Sequence, residues 1–265
     1  MRDLSNCKRV VVKIGSSSLT HKETGDLNFH KIDKLAMVLS DIKNSGKDVI
    51  LVSSGAVSAG VSKLKMKDRP KEMKEKQAAA SVGQCELMFI YDKFFSQYGQ
   101  MIAQLLITKT VMINETLRFN ATNTLETLLT YGVIPIINEN DSVATDEIAY
   151  GDNDTLSAIC ASIIDADLLI LLSDIDGLYD DNPSINSNAK LIPYVKELND
   201  DILKMAKGAG SVHGTGGMTT KIHAAQICAR HHIPMVIANG ENPDILFDIL
   251  DNHYVGTLFD IKESE

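Results

Sequence analysis

The chain has 265 residues, a formal net charge of −9 and a pI near 5.3. A composition of 44% hydrophobic and 23% charged residues, with no tryptophan and only four cysteines, excludes a disordered chain, a fibre and a disulfide scaffold. The acidic balance repels polyanions, so nucleic acid is not an expected partner.

Arg2, Asp3, Lys8 and Arg9 stand where a signal peptide would need an apolar run, and no segment approaches the ~18 apolar residues of a membrane span. A soluble cytoplasmic protein, off the membrane, is the expectation. Cys7, Cys85, Cys160 and Cys228 form no C-x-x-C pair, and no H-E-x-x-H occurs, so the expected metal ligands are none. Lysines 63 to 76 alternate with Asp68, Glu72 and Glu75, which reads as a solvated face.

Taken in order, Val10–Ile14 is a short β-branched strand ending at Gly15-Ser16-Ser17-Ser18. A helix fits 30–44, with Ile32, Leu35, Val38, Leu39 and Ile42 on one face and Gly46 as its stop. Val49–Val52 is a second strand, and Ser53-Ser54-Gly55-Ala56 opens a helical stretch to about Gly60. A helix over 77–96 and a strand over 101–106 follow. The next helix, about 114–130, carries Leu117, Ala121, Leu125, Leu128 and Leu129 on one side. Val133–Ile137 is a strand, and Asn138 to Ser142 leave its end. A helix from about 155 to 165 has Asp154 or Asn153 as its expected N-cap. Asp167–Leu172 is a continuous apolar strand ending in Ser173-Asp174. A glycine loop, Gly214-Thr215-Gly216-Gly217, feeds a helix that begins near Met218. Met235–Ala238 is the last main strand, followed by a closing helix and the segment Gly256–Phe259.

Strands alternating with helices imply a mainly parallel sheet covered on both faces, in which ligands bind outside the carboxyl ends of the strands. Lys13 and Gly15, Ser53 to Gly55, Asn138 to Asp141, Ser173-Asp174 and Asn239-Gly240 all follow strands, so they share one rim. Alone, the loop at 214–217 has a second reading as a glycine linker, the lesser of the two. Placed on that rim, with Thr219, Thr220 and Lys221 in the following helical turn, it reads as an anion site. Two lysines, glycine loops and carboxylates without a triad suit phosphoryl transfer, where catalysis is mostly positioning and charge neutralisation. Neither G-x-x-x-x-G-K-[ST] nor a G-x-G-x-x-G after the first strand is present.

Val12-Lys13-Ile14-Gly15-Ser16-Ser17, Ser53-Ser54-Gly55-Ala56, Asn138-Glu139-Asn140-Asp141, Gly151-Asp152-Asn153-Asp154, Ser173-Asp174 with Gly177-Leu178-Tyr179, and Gly214 to Lys221 closely resemble the glutamate 5-kinase branch of the amino acid kinase family. The resemblance runs in order from about Val10 to Phe259. It implies a three-layer αβα sandwich with an amino-acid lobe over about 1–165 and a nucleotide lobe over about 166–265. It also implies ATP-dependent phosphorylation of the γ-carboxylate of L-glutamate, the opening step of proline biosynthesis, with magnesium carried largely by the phosphates.

By the motif matches, Lys13 and Lys221 stabilise the transferring phosphoryl and Asp154 orients them, while Ser54, Asp141, Asp152 and Asn153 bind glutamate. Lys13, Gly15, Ser173, Asp174, Thr215, Gly216, Gly217, Met218, Thr219, Thr220 and Lys221 bind the nucleotide. Many members carry a carboxy-terminal PUA domain, and a form without it is expected here. Feedback inhibition by proline and a homo-oligomer are further implications. Two other readings stay open: a kinase of the same fold acting on another carboxylate, carbamate or phosphate, and a nucleotide-binding regulator without activity.

Overall fold

The computed structural model describes residues 2–143, 153–208, 217–253 and 255–261. The elements are β1 (Arg9–Ile14), α1 (Ser16–Leu19), α2 (Phe29–Asn44), β2 (Asp48–Ser53), α3 (Ala56–Lys63), α4 (Met73–Gln97), β3 (Ile102–Ile107), α5 (Glu115–Thr130), β4 (Ile134–Glu139), α6 (Asn153–Ile163), β5 (Leu168–Ser173), β6 (Tyr194–Val195), α7 (Asp200–Gly208), α8 (Met218–Arg230), β7 (Met235–Asn239), α9 (Ile245–Leu250) and β8 (Thr257–Phe259). A single 3₁₀ turn, Lys109–Met112, precedes α5.

The strands form one sheet in the order β3-β4-β2-β1-β5-β7-β8-β6. From β3 to β7 the pairings are parallel, and β8 runs antiparallel to β7. The chain leaves β1 toward β2 on one side and later returns to β5 on the other, which makes the β1/β5 boundary a topological switch point.

Period-two alternation along the central strands separates two apolar cores. Val10, Val12 and Ile14 face one core, with Leu35, Val38 and Leu39 of α2 and Leu87, Tyr91 and Phe95 of α4. Val11 faces the other, with Leu156 and Ile159 of α6 and Ile222 and Ala225 of α8. Lys13 shares the parity of Val11, so its side chain leaves the sheet on the α6/α8 side. That single count decides which helices it can meet.

The helices α3 and α4 touch backbone to backbone. A Cβ on Gly60 would lie inside the Ala79 carbonyl, and a Cβ on Gly83 inside the Ala56 carbonyl, so both positions demand glycine. This fixes α4 against the end of β2.

Several expectations need correction. α4 begins at Met73 rather than 77, because charged residues extend its exposed face. Leu117, on the first turn of α5, is 45% exposed, and the buried positions of that face are Ala121, Leu125 and Leu129. Between Asp174 and Met218 the short β6 and the helix α7 were not expected from the pattern. Neither Asp154 nor Asn153 is an N-cap: both lie inside α6, and stronger partners from other elements take their side chains. Among the described residues no helix is long and apolar enough to cross a membrane.

Candidate active site

Lys13 lies one residue before the end of β1, paired in register with Val52 of β2 and Leu171 of β5. Lys221 lies in the first turn of α8, and Asp154 in the first turn of α6. The packing of α6 on α8 brings the three together. Asp154 is 0% exposed, its Oδ1 2.6 Å from Lys13 Nζ and its Oδ2 2.9 Å from Lys221 Nζ. Thr220 Oγ1 lies 3.0 Å from Oδ2 and 2.7 Å from the Gly217 carbonyl, its one O–H proton shared between the two acceptors. Burial on its own would raise the Asp154 carboxyl, but the two ammonium groups outweigh it and hold the pKa at about 2. One ionised carboxylate thus faces two buried cations, leaving a net positive charge at the switch point.

On the β2/β4 side, the rim is a buried polar network. Asn153 Nδ2 lies 2.9 Å from Ser54 Oγ, 2.9 Å from Asn138 Oδ1 and 3.3 Å from the Ser53 carbonyl. Asn138 Oδ1 also accepts from the Glu139 N–H, and Asn138 Nδ2 donates to Gln84 Oε1, each at 2.9 Å. Ser53 donates to the Ser54 carbonyl at 2.9 Å, so the fully buried Tyr91 hydroxyl donates to Ser53 Oγ at 2.8 Å. Asp141, two residues past β4, is half-buried, and that burial raises its pKa to about 6. Gln84 and Tyr91 were not singled out from sequence, whereas Ser53 and Asn138 were placed on the rim without an assigned role. Asn138 lies inside β4, which runs on to Glu139 rather than stopping at Ile137, while Gln84 and Tyr91 sit mid-helix and carry no such signal.

On the β5/β7 side, Ser173 is buried at the end of β5 and donates to Asp174 Oδ1 at 3.2 Å, while Asp174 itself is exposed. Asp176 accepts from Asn239 Nδ2 at 2.7 Å and from the Tyr179 hydroxyl at 2.9 Å, tying the loop after β5 to the tip of β7. Gly217 precedes α8 in an extended conformation with no side-chain cap, and the Thr220 N–H turns back to the Gly217 carbonyl at 3.2 Å, at a helix end whose dipole favours anions. Met218 turns its side chain into the core, so it offers the rim only its backbone. Thr219 is exposed. Gly15 follows β1, and a Cβ there would lie 3.7 Å from Lys13 Nζ, which places it beside the lysine. Asp152, Thr215 and Gly216 lie outside the described residues.

The arrangement sets two cations beside a buried polar network at the tips of β2 and β4. Among the described residues no three or more His, Cys, Asp or Glu side chains gather to bind a metal, and Asp154 is engaged by both lysines.

The model of the amino acid kinase family matches residues 8–239. Among curated proteins, the glutamate 5-kinase of Clostridium perfringens is 50% identical over 266 residues, covering 99% of this chain and 98% of that one. The glutamate 5-kinase of Clostridium acetobutylicum is 54% identical over 256 residues, covering 97% and 96%. Among solved structures, the UMP kinase from Bacillus anthracis superposes with a TM-score of 0.65 at 14% identity, covering 96% of each chain. The isopentenyl phosphate kinase of T. acidophilum gives 0.64 at 17%, covering 95% of this chain and 100% of that one. At such identities these two likenesses concern the fold.

Proposed function

The chain belongs to the amino acid kinase family, and on that footing we propose that it transfers the γ-phosphoryl group of ATP to the γ-carboxylate of L-glutamate. The products are L-glutamyl 5-phosphate and ADP, and the reaction opens proline biosynthesis. The observation that carries this reading is the buried Lys13–Asp154–Lys221 cluster at the switch point, set between a buried polar network and the N-terminus of α8. Full-length similarity to two glutamate 5-kinases supports the acceptor.

A glutamate γ-carboxylate is ionised at neutral pH, with an ordinary pKa of about 4.3, so it attacks phosphorus without a general base. One carboxylate oxygen bonds to the γ-phosphorus, the bond from phosphorus to the β,γ-bridging oxygen breaks, and ADP leaves with that electron pair. No proton moves. Attacking and leaving groups are both anionic, so the residues that matter are cations held rigidly at the transferring group. Lys13 reaches it from the sheet and Lys221 from the helix, and Asp154 keeps both ammonium groups in place. Magnesium, bound to the ATP phosphates, supplies further charge neutralisation there.

The acceptor's α-ammonium is met by Asp141 and Asp152, and its polar groups by Ser54 and Asn153. Gly15, Ser173, Asp174 and the 215–221 segment hold the nucleotide, with Gly217 and Met218 acting through backbone N–H groups. Residues 1–165 then form the acceptor lobe and 166–265 the nucleotide lobe. The enzyme works in the cytoplasm as a homo-oligomer. Proline, which shares an ammonium and an α-carboxylate with glutamate, acts as its feedback inhibitor.

The test is to supply ATP, magnesium and L-glutamate and trap the acyl phosphate with hydroxylamine, in parallel with aspartate and N-acetylglutamate. Hydroxamate should form with glutamate in clear preference. No glutamate-dependent hydroxamate, or a preference for N-acetylglutamate, overturns the reading.

A further inference from the structure

We infer that Gln84, in the middle of α4, is a positioning residue for the amino-acid acceptor, setting the direction of the hydrogen bonds that Ser54 and Asn153 present to it. This rests on the function proposed above and assigns acceptor recognition to a helix that places no side chain in the lysine cluster.

Hydrogen-bond direction along the network carries the inference. Gln84 is 9% exposed, and its Oε1 accepts from Asn138 Nδ2 at 2.9 Å. An amide has a donor end and an acceptor end, so fixing Nδ2 toward α4 turns Asn138 Oδ1 the other way. There Oδ1 accepts from Asn153 Nδ2 and from the Glu139 N–H. Asn153 Nδ2, held in that direction, donates to Ser54 Oγ at 2.9 Å. Because Ser54 Oγ accepts this bond, its own O–H is directed away from Asn153 and is available to donate to a bound carboxylate. Reversing the Asn138 amide would set Nδ2 against Asn153 Nδ2, and the chain of directions would fail at its first link.

The anchor is rigid. Gly83, next to Gln84, sits so close to the Ala56 carbonyl that α4 has no room to slide along α3. The same helix reaches Ser53 through Tyr91 at 2.8 Å and Ser142, beside Asp141, through Ser81 at 2.9 Å. Thus α4 braces the ends of both β2 and β4, the two strands whose tips carry the acceptor residues, and has no such bond to the β5 or β7 tips among the described residues.

The experiment compares Gln84→Met and Gln84→Glu with the unsubstituted protein in the hydroxamate assay, titrating glutamate and ATP separately. Methionine matches the length of glutamine but cannot accept the bond, whereas glutamate retains an acceptor oxygen. Loss of one neutral hydrogen bond predicts a rise of about tenfold in KM for glutamate in Gln84→Met, with kcat and KM for ATP near native. Gln84→Glu should restore KM for glutamate toward the native value. A merely structural role would shift kcat and both KM values together and would not be rescued by Gln84→Glu. That pattern, or an unchanged KM for glutamate in Gln84→Met, overturns the inference while leaving the proposed function standing. Absence of glutamate turnover in the unsubstituted protein overturns both.

Discussion

Replacing Asp154 by asparagine keeps the shape of the side chain and removes its charge from a position that is 0% exposed. Lys13 and Lys221, 7% and 3% exposed, then lose the carboxylate that lies 2.6 and 2.9 Å from their ammonium groups. Breaking a buried ion pair by removing one partner costs about 3–5 kcal/mol, since the remaining charge stays desolvated. For a chain of this length each kcal/mol moves Tm by about 2–4 °C, so a drop of roughly 6–20 °C is expected. Turnover should fall about 10²- to 10³-fold, the usual cost of losing a preorganised electrostatic contact. Thermal denaturation and the hydroxamate assay read the two effects separately. The double variant Lys13→Met/Asp154→Asn deletes one orphaned cation, so it should melt above Asp154→Asn while turning over no faster than it. Native-like melting and turnover in Asp154→Asn would refute the idea that this carboxylate braces the lysines.

Three further outcomes follow from the same geometry. The depressed Asp154 pKa means its contribution to stability is complete above its ordinary value of 3.8 and is lost as pH falls toward about 2; acid titration of Asp154→Asn should lack that component. Asp141, with its pKa raised to about 6, is ionised at pH 8 and mostly neutral at pH 5, so KM for glutamate should rise about tenfold between those values. Asp141→Asn should show a high KM that is flat over the same range, and a retained pH dependence would assign the titration elsewhere. Gly83→Ala forces a methyl group into the Ala56 carbonyl, so it should lower the urea midpoint by the equivalent of about 3 kcal/mol, and a native midpoint would contradict the close α3–α4 contact.

The sheet and its rim were legible because each strand is a short apolar run with a polar break at its carboxyl end. Parallel pairing from β3 to β7 then gathers those breaks at one edge. Lys13 stood out as a cation inside an apolar run, and its parity with Val11 directs it toward α6 and α8. The role of Asp154 was only half legible. A carboxylate in a first helical turn has a sufficient local explanation as a cap, and nothing near it in sequence reveals lysines 141 residues before and 67 residues after it. Gln84 was invisible for the same reason: a polar side chain in the middle of a long helix reads as solvated until the helix is packed across β4. The 174–199 stretch resisted prediction because its strand β6 has two residues, too few to show a period. Leu117 misled in the opposite direction, since helical spacing predicts a shared face but not how much of it is covered.

The central claim is that an ionised side-chain carboxylate attacks the phosphoryl group directly within the two-lysine cluster. L-Glutamate labelled with ¹⁸O in its γ-carboxylate, turned over with ATP in hydroxylamine, tests it. Hydroxylamine attacks the acyl carbon, so the released phosphate should carry one ¹⁸O atom per turnover, delivered from the carboxylate. Unlabelled phosphate, or phosphate release independent of glutamate, would contradict the account.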